Sequence, residues 1–328
     1  YEGSGRIGFT LTPNDDEWYT FLTGTIGGQG NRCTCNLSFA SWEQSSNTWG
    51  YGKVDEGEFG HTDWTYYTDI GRYSDIEIGT DGNPQVGYYG RIVTGEDVLG
   101  PPPTFSAWYE WGPRYAKFSG GNWQVERIEI NASGNYYTTG YWTNLELDAD
   151  DKPLVAYQNL SGFDSVRLAT GNGNGVWATE LIDNGSANLG AYLRMGLDDS
   201  DDVHLSYRDD TNDDLVLTRP EIGGTWSKIK VASLGDVGEY ASLAIDSDDK
   251  EVFAYYDGND ENLMVASPAA DSDGDGIADA ADRCAQTPPA ATIDATGCHW
   301  ERTSLTSSGD NAACIDVVMG ADGLRRLV

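Results

Sequence analysis

Residues 271–282 carry the densest set of groups that could do chemistry, reading Asp271-Ser-Asp273-Gly-Asp275-Gly276-Ile277-Ala-Asp279-Ala-Ala-Asp282. Counted from Asp271 as position 1, carboxylates fall at positions 1, 3, 5, 9 and 12, and glycine at position 6. This is the ligand spacing of a loop that wraps one Ca²⁺: alternate side chains turn inward, Gly276 permits the bend, and the Ile277 carbonyl supplies the seventh position. The expected ligands are Asp271, Asp273, Asp275, Ile277, Asp279 and Asp282. An all-oxygen set suits Ca²⁺ and not Zn²⁺ or Cu²⁺. Asp282 stands where such loops carry a longer Glu, so its shorter arm binds through one oxygen or weakens the site. The competing reading is a solvated acidic linker.

The loop continues as Arg283-Cys284-Ala-Gln-Thr287-Pro288 and ends at Asp294-Ala-Thr-Gly297-Cys298. Residues 271–298 resemble a thrombospondin type 3 repeat of the bacterial kind. The resemblance implies a Ca²⁺-bound loop closed by a Cys284–Cys298 disulfide. Only one such repeat is present, so one Ca²⁺ is expected. Bound metal would rigidify a segment with little core of its own.

Other candidates are weaker. The five cysteines are Cys33, Cys35, Cys284, Cys298 and Cys314, and their spacing makes no zinc cage. A bridge from Cys314 to Cys33 or Cys35 is expected, against a buried free Cys314. With the acidity, this cysteine usage points to an oxidising compartment, secreted or on a cell surface and bacterial. His61, His204 and His299 are too scattered for a metal site, and His204 reads as a structural strand residue. Residues 99–113 read as a Pro-stiffened loop that presents Phe105, Trp108, Tyr109 and Trp111 as a recognition surface. The alternative is that these rings pack back on the domain. Ser45-Ser-Asn47-Thr48-Trp49 is faintly similar to the Asp-box turn of sialidase propellers but lacks its Asp and Gly. Carboxylates are too abundant for an acid/base pair to be picked out.

Their positioning must come from strands. Gly at 41, Tyr at 19 and Trp at 11 make a composition of turns and aromatic strands. With 20 Lys and Arg against 53 Asp and Glu, the formal charge is −33. That charge repels phosphate and disfavours nucleic acid and anionic membranes as partners. No stretch reaches the roughly 18 apolar residues of a membrane span.

An internal repeat supplies the architecture. Leu145–Tyr157, Leu193–Tyr207 and Leu243–Tyr255 each read strand, acidic turn, strand; Ile76–Tyr88 begins a fourth copy. A third strand, a Gly-rich turn and a strand opening with Trp follow, at Trp123, Trp177 and Trp226. The recurring Trp and Tyr read as fillers between units, and the acidic turns at 148–151, 198–202 and 246–249 as solvated hairpins or weak Ca²⁺ sites. Four strands in about 50 residues is the blade of a β-propeller. Counting gives six blades, five or seven being the alternatives: 33–67, 73–130, 142–182, 192–232, 241–307, and one split between the chain ends. In that split blade residues 314–328 supply two strands and residues 1–18 two more. The ends either meet within one molecule, the reading adopted, or continue into a neighbour.

The expected protein is therefore an all-β, six-bladed propeller over residues 1–267 and 299–328, with a calcium-binding insertion at 268–298. It is read as a non-catalytic module for adhesion or extracellular assembly. Its partners would be protein or glycan at the cell surface, or copies of itself. The alternative is a carbohydrate-active enzyme or lectin of propeller type.

Overall fold

The computed structural model describes residues 7–13, 16–27, 32–56, 69–99, 104–129, 139–160, 164–185, 188–221, 223–268, 300–304, 317–319 and 325–327. Every regular element among them is a β-strand. The chain divides into two units, residues 1–185 and 186–328.

The first unit holds three four-stranded antiparallel groups. The first is β1 (Gly8–Leu11), β2 (Glu17–Gly27), β3 (Arg32–Glu43) and β4 (Thr48–Asp55). The second is β5 (Asp69–Ile78), β6 (Pro84–Leu99), β7 (Thr104–Ser119) and β8 (Asn122–Arg127). A single parallel pairing, Cys35 with Asp69, joins these two groups. The third is β9 (Thr139–Leu147), β10 (Pro153–Asn159), β11 (Ser165–Gly171) and β12 (Trp177–Asp183).

The second unit repeats the pattern in β13 (Leu189–Leu197), β14 (Val203–Asp209), β15 (Asp214–Pro220) and β16 (Trp226–Ala232). A second sheet follows in β17 (Val237–Ile245), β18 (Glu251–Asp257), β19 (Asn262–Pro268) and β20 (Trp300–Ser304). Pro268 pairs with Trp300, so residues 269–299 fall between two partnered strands. A hairpin of β21 (Val317–Met319) and β22 (Arg325–Leu327) ends the described chain.

Two expectations change. Residues 8–11 pair with β2 and residues 17–27 with β3, so the blade placed at 33–67 begins at residue 8 and the split blade is not formed as expected. No sheet closes among the described residues. The stretch 99–113 is not a long loop, because β6 and β7 pair out to Leu99 and Thr104.

The recurring tyrosines Tyr88, Tyr157, Tyr207 and Tyr255 are fully buried, each on the second strand of its sheet. The recurring Trp123 and Trp177, each on the fourth strand of its group, reach across to the preceding sheet. The Trp123 ring lies 5.7 Å from Phe39 of the preceding sheet, and Trp177 lies 5.3 Å from Tyr115. The acidic turns are built by their own side chains. One Asp148 oxygen accepts from the Asp150 and Lys152 N–H groups, and Asp198 and Asp246 do the same in their turns. The fourth turn residue is left-handed at Asp151, Asp201 and Asp249 (φ 60°, 61°, 57°). Two of these carboxylates clasp the neighbouring turn: Asp151 accepts from the Thr80 N–H at 2.9 Å, and Asp249 from the Asp199 N–H at 2.9 Å.

One further repeat lies ahead of each inner strand's core. Gly71, Gly140, Gly190 and Gly238 have φ between 91° and 99°, and the aromatic two residues on (Tyr73, Trp142, Tyr192, Tyr240) has φ between 51° and 55°. The ladder slips at Gly71, Gly190 and Gly238, so the segment is a bulge. A Cβ on Gly140 would sit 2.6 Å from the Pro113 nitrogen of the preceding sheet.

Within this interface Asp75 accepts the Leu145 N–H at 3.0 Å and an Asn144 side-chain N–H. Glu77, two residues along the same strand, has its carboxyl pushed up to about 8, by burial first and by the Asp75 charge second.

Two outcomes follow from this packing. Gly140→Ala combines a strained φ with a backbone clash and should cost about 2–4 kcal/mol, read as a lowered denaturant midpoint. The stabilising neutral form of Glu77 is fully present below the ordinary value of 4.5 and is lost as pH rises through about 8. Glu77→Gln should therefore raise Tm more at pH 9 than at pH 4; an equal change at both would contradict this account.

Candidate functional site

In the first unit the pairing register carries charged and aromatic side chains to one end of the second and third sheets. Asp69 lies opposite Arg91, Arg72 opposite Tyr89, and Arg91 opposite Trp111. The bulge at Gly71 then turns Arg72 and Tyr73, and the matching bulge at Gly140 turns Tyr141 and Trp142 toward them.

The rings form one cluster. Tyr89 stacks on Tyr141 with centroids 5.2 Å apart and planes 20° apart. Tyr73 meets Tyr141 edge-on at 5.2 Å and Trp142 at 5.0 Å. Tyr73, Tyr89 and Trp111 are buried, while Tyr141 and Trp142 are half-buried. Beside them Arg72 Nε donates to Asp69 at 2.8 Å, with the arginine side chain 28% exposed. Burial alone would lower the Arg72 pKa; the Asp69 carboxylate overrides it and holds the guanidinium above its ordinary range. Burial pushes the Tyr89 phenol well above its usual value, Tyr141 and Asp69 push the same way, and Arg91 and Arg72 oppose them. Tyr89 thus stays a neutral phenol at any physiological pH.

Trp111 also walls a shallow, solvent-open hollow lined by Gly90, Glu110, Gly112, Pro113, Arg114, Arg127 and Glu129. Glu110 pairs with Arg127 at 2.8 Å. Glu129 accepts the Tyr157 hydroxyl and lies 3.3 Å from Arg167. Behind the hollow Arg114 and the Tyr88 hydroxyl both donate to Asp55, at 2.9 and 2.7 Å, with all three groups buried. The end therefore offers guanidinium donors, neutral phenols, flat rings and two partly exposed carboxylates. Such a set can hold an anionic group by Arg and a sugar ring by its aromatic walls.

The residues expected from sequence fare differently. Trp111 sits in the cluster, packed back against Tyr73 and Tyr89. Phe105, Trp108 and Tyr109 lie on β7, and their side chains are outside the described residues, as is that of Cys33 on β3. Asp271, Asp273, Asp275, Ile277, Asp279, Asp282, Cys284, Cys298 and Cys314 also lie outside them. Cys35 is fully buried and disulfide-bonded, with its partner beyond the described residues. No group of three or more His, Cys, Asp or Glu that could hold a metal occurs among the described residues. His204 is buried: its Nδ1 lies 2.8 Å from Glu251, which also accepts from Arg219 at 2.5 Å. Burial alone would raise the Glu251 carboxyl, but His204 and Arg219 hold it below its usual range.

Sequence reasoning missed Asp69, Arg72, Tyr73, Tyr89, Glu110 and Tyr141. The available signal was the recurrence of Gly-x-Tyr or Gly-x-Trp, three or more residues ahead of the core of each inner strand.

No protein-family model matches the chain, and no curated protein matches its sequence. Solved structures share its fold. NanB with Optactamide is 8% identical, with a TM-score of 0.57 over 99% of this chain. A Hadza microbial sialidase is 10% identical, with a TM-score of 0.55 over 95%. The intramolecular trans-sialidase from Ruminococcus gnavus is 7% identical, with a TM-score of 0.55 over 98% of this chain and 88% of its own. The chain spans 64% of the first of these structures and 60% of the second. At such identities the likeness is one of fold, and it places the chain among all-β structures of the propeller type. It also corrects the expectation of a non-catalytic adhesion or assembly module, since the fold neighbours include a sialidase, a trans-sialidase and, at a TM-score of 0.50, a polysaccharide lyase.

Proposed function

We propose that the chain is a carbohydrate-active enzyme that cleaves a glycan carrying an anionic sugar at the arginine–tyrosine end of its first unit. The observation that carries this reading is Arg72, held charged by Asp69 and seated beside the Tyr73–Tyr89–Tyr141 cluster. Arg72 pairs with the sugar's carboxylate or sulfate, and Trp142 and Tyr141 face its ring. Glu110 and Glu129, at the hollow beyond Trp111, are the candidates for proton transfer to or from the glycosidic oxygen. The fold shared with a sialidase and a trans-sialidase supports the assignment to carbohydrate chemistry.

The test is turnover on a panel of sialylated, uronate-containing and sulfated glycans, read as released sugar and as new ultraviolet absorbance from unsaturated product. The wild-type chain should act on one of them. Arg72→Met and Glu110→Gln should each lower kcat/KM by about 10²–10³-fold with unchanged circular dichroism. Turnover unchanged in both variants, or none on the whole panel, would count against the site.

Three finer readings accompany this one. Three four-stranded sheets, an eight-stranded sheet made of two four-stranded groups, and one hairpin support a ring of six blades. Residues 271–282 bind one Ca²⁺ through Asp271, Asp273, Asp275, Asp279, Asp282 and the Ile277 carbonyl, with Cys284 bridged to Cys298 in a secreted chain. The buried disulfide of Cys35 supports a bridge to Cys314. Calorimetric titration of the calcium-stripped protein should show one Ca²⁺ site. Chelation should speed hydrogen exchange in residues 268–300 and leave β9–β19 protected; global loss of protection would contradict an insertion that folds by itself.

A further inference from the structure

Sheets that repeat one pattern make departures from it easy to see. Three residues ahead of each buried tyrosine stand Gln85, Leu154, His204 and Val252, and four ahead stand Pro84, Pro153, Val203 and Glu251. The two ionisable residues among these eight meet each other. His204 of β14 and Glu251 of β18 are 1% and 2% exposed, and His204 Nδ1 lies 2.8 Å from Glu251 Oε1 across the contact between two sheets of the second unit. On its other side His204 Nε2 lies 3.4 Å from Oδ2 of Asp198, whose second oxygen builds the β13–β14 turn.

A carboxylate oxygen only accepts, and a neutral imidazole carries one donor and one acceptor. Hydrogen bonds on both sides of the ring therefore require both nitrogens to be protonated, which makes it an imidazolium. The groups facing the ring balance that charge. Glu251 comes from β18, Asp198 from the turn of the same sheet, and Arg219 from β15, its Nη1 2.5 Å from the same Glu251 oxygen. The β17–β18 turn adds Asp249, which accepts the Asp199 N–H at 2.9 Å; Asp246, Asp248 and Lys250 share that turn. With the ring charged, two cations stand against Glu251 and Asp198, and the group has no net charge. With the ring neutral, a lone pair meets a carboxylate oxygen and one carboxylate is left uncompensated, which is costly away from water. Burial alone would raise the Glu251 carboxyl, and the hold of His204 and Arg219 outweighs it.

We propose that His204 is a pH-sensitive latch between the sheets β13–β16 and β17–β20. Protonated, it joins Asp198 to Glu251 across the contact. Deprotonated, it releases one of them, and the β13–β14 turn loosens. The latch acts within the second unit and is independent of the reading given for the Arg72 end. The stability supplied through His204 is fully present below the ordinary imidazole value of about 6.5 and is lost at higher pH. The part supplied through Glu251 is fully present above the ordinary carboxyl value of 4.5 and is lost as pH falls through its lowered value.

The test is amide hydrogen exchange of residues 197–204 in the full chain at pH 6 and pH 9, corrected for the intrinsic rate, together with long-range proton–nitrogen spectra of the imidazole rings. At pH 6 the His204 ring should show two protonated nitrogens, and protection of these amides should fall about tenfold by pH 9. His204→Gln should show lower protection at pH 6 and the same protection at both pH values. The His204 signals are assigned by their loss in that variant. Where it does not fold, His61→Gln and His299→Gln supply the assignment, and the wild-type ring spectrum decides. A His204 ring with one protonated nitrogen at pH 6 would overturn the proposal, as would an equal change in protection in wild type and variant.

Discussion

The inner strands β5, β9 and β17 each lie so close to the sheet before them at one glycine that no side chain fits between. Gly71 meets Leu37, Gly140 meets Gly112 and Pro113, and Gly238 meets Leu215, each at a distance where a Cβ would strike backbone. That approach stacks sheet on sheet and leaves room for one large filler per interface, the buried tyrosine of the second strand. It also has a local cost. The bulge that lets the glycine in forces an aromatic two residues later into the left-handed region, which a bulky side chain rarely adopts. The same constraint therefore packs the sheets and aims a tyrosine or tryptophan at one end of each inner strand. In the first unit those aromatics meet as Tyr73 and Trp142, and the candidate site is built beside that strained backbone.

Buried ionic groups follow the same layout. Asp55 with Arg114 and Tyr88, and Glu251 with His204 and Arg219, both lie on strands that stack against a neighbour. Removing such charges from water costs several kcal/mol per ion, and the pairing offsets rather than exceeds that cost. What they add is discrimination: a sheet that slipped by one residue would part Asp55 from Arg114 and Tyr88, or Glu251 from His204 and Arg219. In a chain whose sheets repeat the same aliphatic pattern, these unequal polar pairs distinguish one interface from the next.

The repeat, the turns and the core fillers were legible in the sequence because each is local. Asp148-Ala-Asp150-Asp151 specifies its own turn through one carboxylate, and Val203-His-Leu-Ser-Tyr207 alternates as a strand must. The N-terminal sheet was misread because Trp18 follows the turn Thr12-Pro-Asn-Asp-Asp16 much as the repeated Trp follows the last turn of its counterparts, so residues 1–18 read as the second half of a unit and were paired with the chain end. The stretch 99–113 was read as a loop because three prolines outweighed the pairing potential of its flanks. The Arg72 end was invisible for a different reason. Asp69, Tyr89, Trp111 and Tyr141 come from four strands, and only the bulged register makes them neighbours. A Gly-x-aromatic repeat signals the bulge, but not which charges it will gather.

Cations are scarce in this chain, 20 against 53 acids, so where they stand unshielded matters more than where they occur. Arg114 and Arg219 are buried, each paired with a buried carboxylate, and Arg208 is ringed by Asp210, Asp213 and Asp236 at 2.5–2.8 Å. Each of these is committed to carboxylates of the protein itself. Arg72 differs in two respects: it is partly exposed, and its contact with Asp69 runs through Nε. A guanidinium has five donors in a planar fork, and one carboxylate held at Nε does not use them up. The acidic surround repels free anions at long range, so an anionic group reaching Arg72 must arrive on a molecule that other contacts retain. In the proposed reading the ring walls of Tyr141 and Trp142 would be such contacts. Selectivity at this end would then arise from requiring both features at once, a negative group for the guanidinium and an apolar ring face for the aromatics, and an acidic sugar has both.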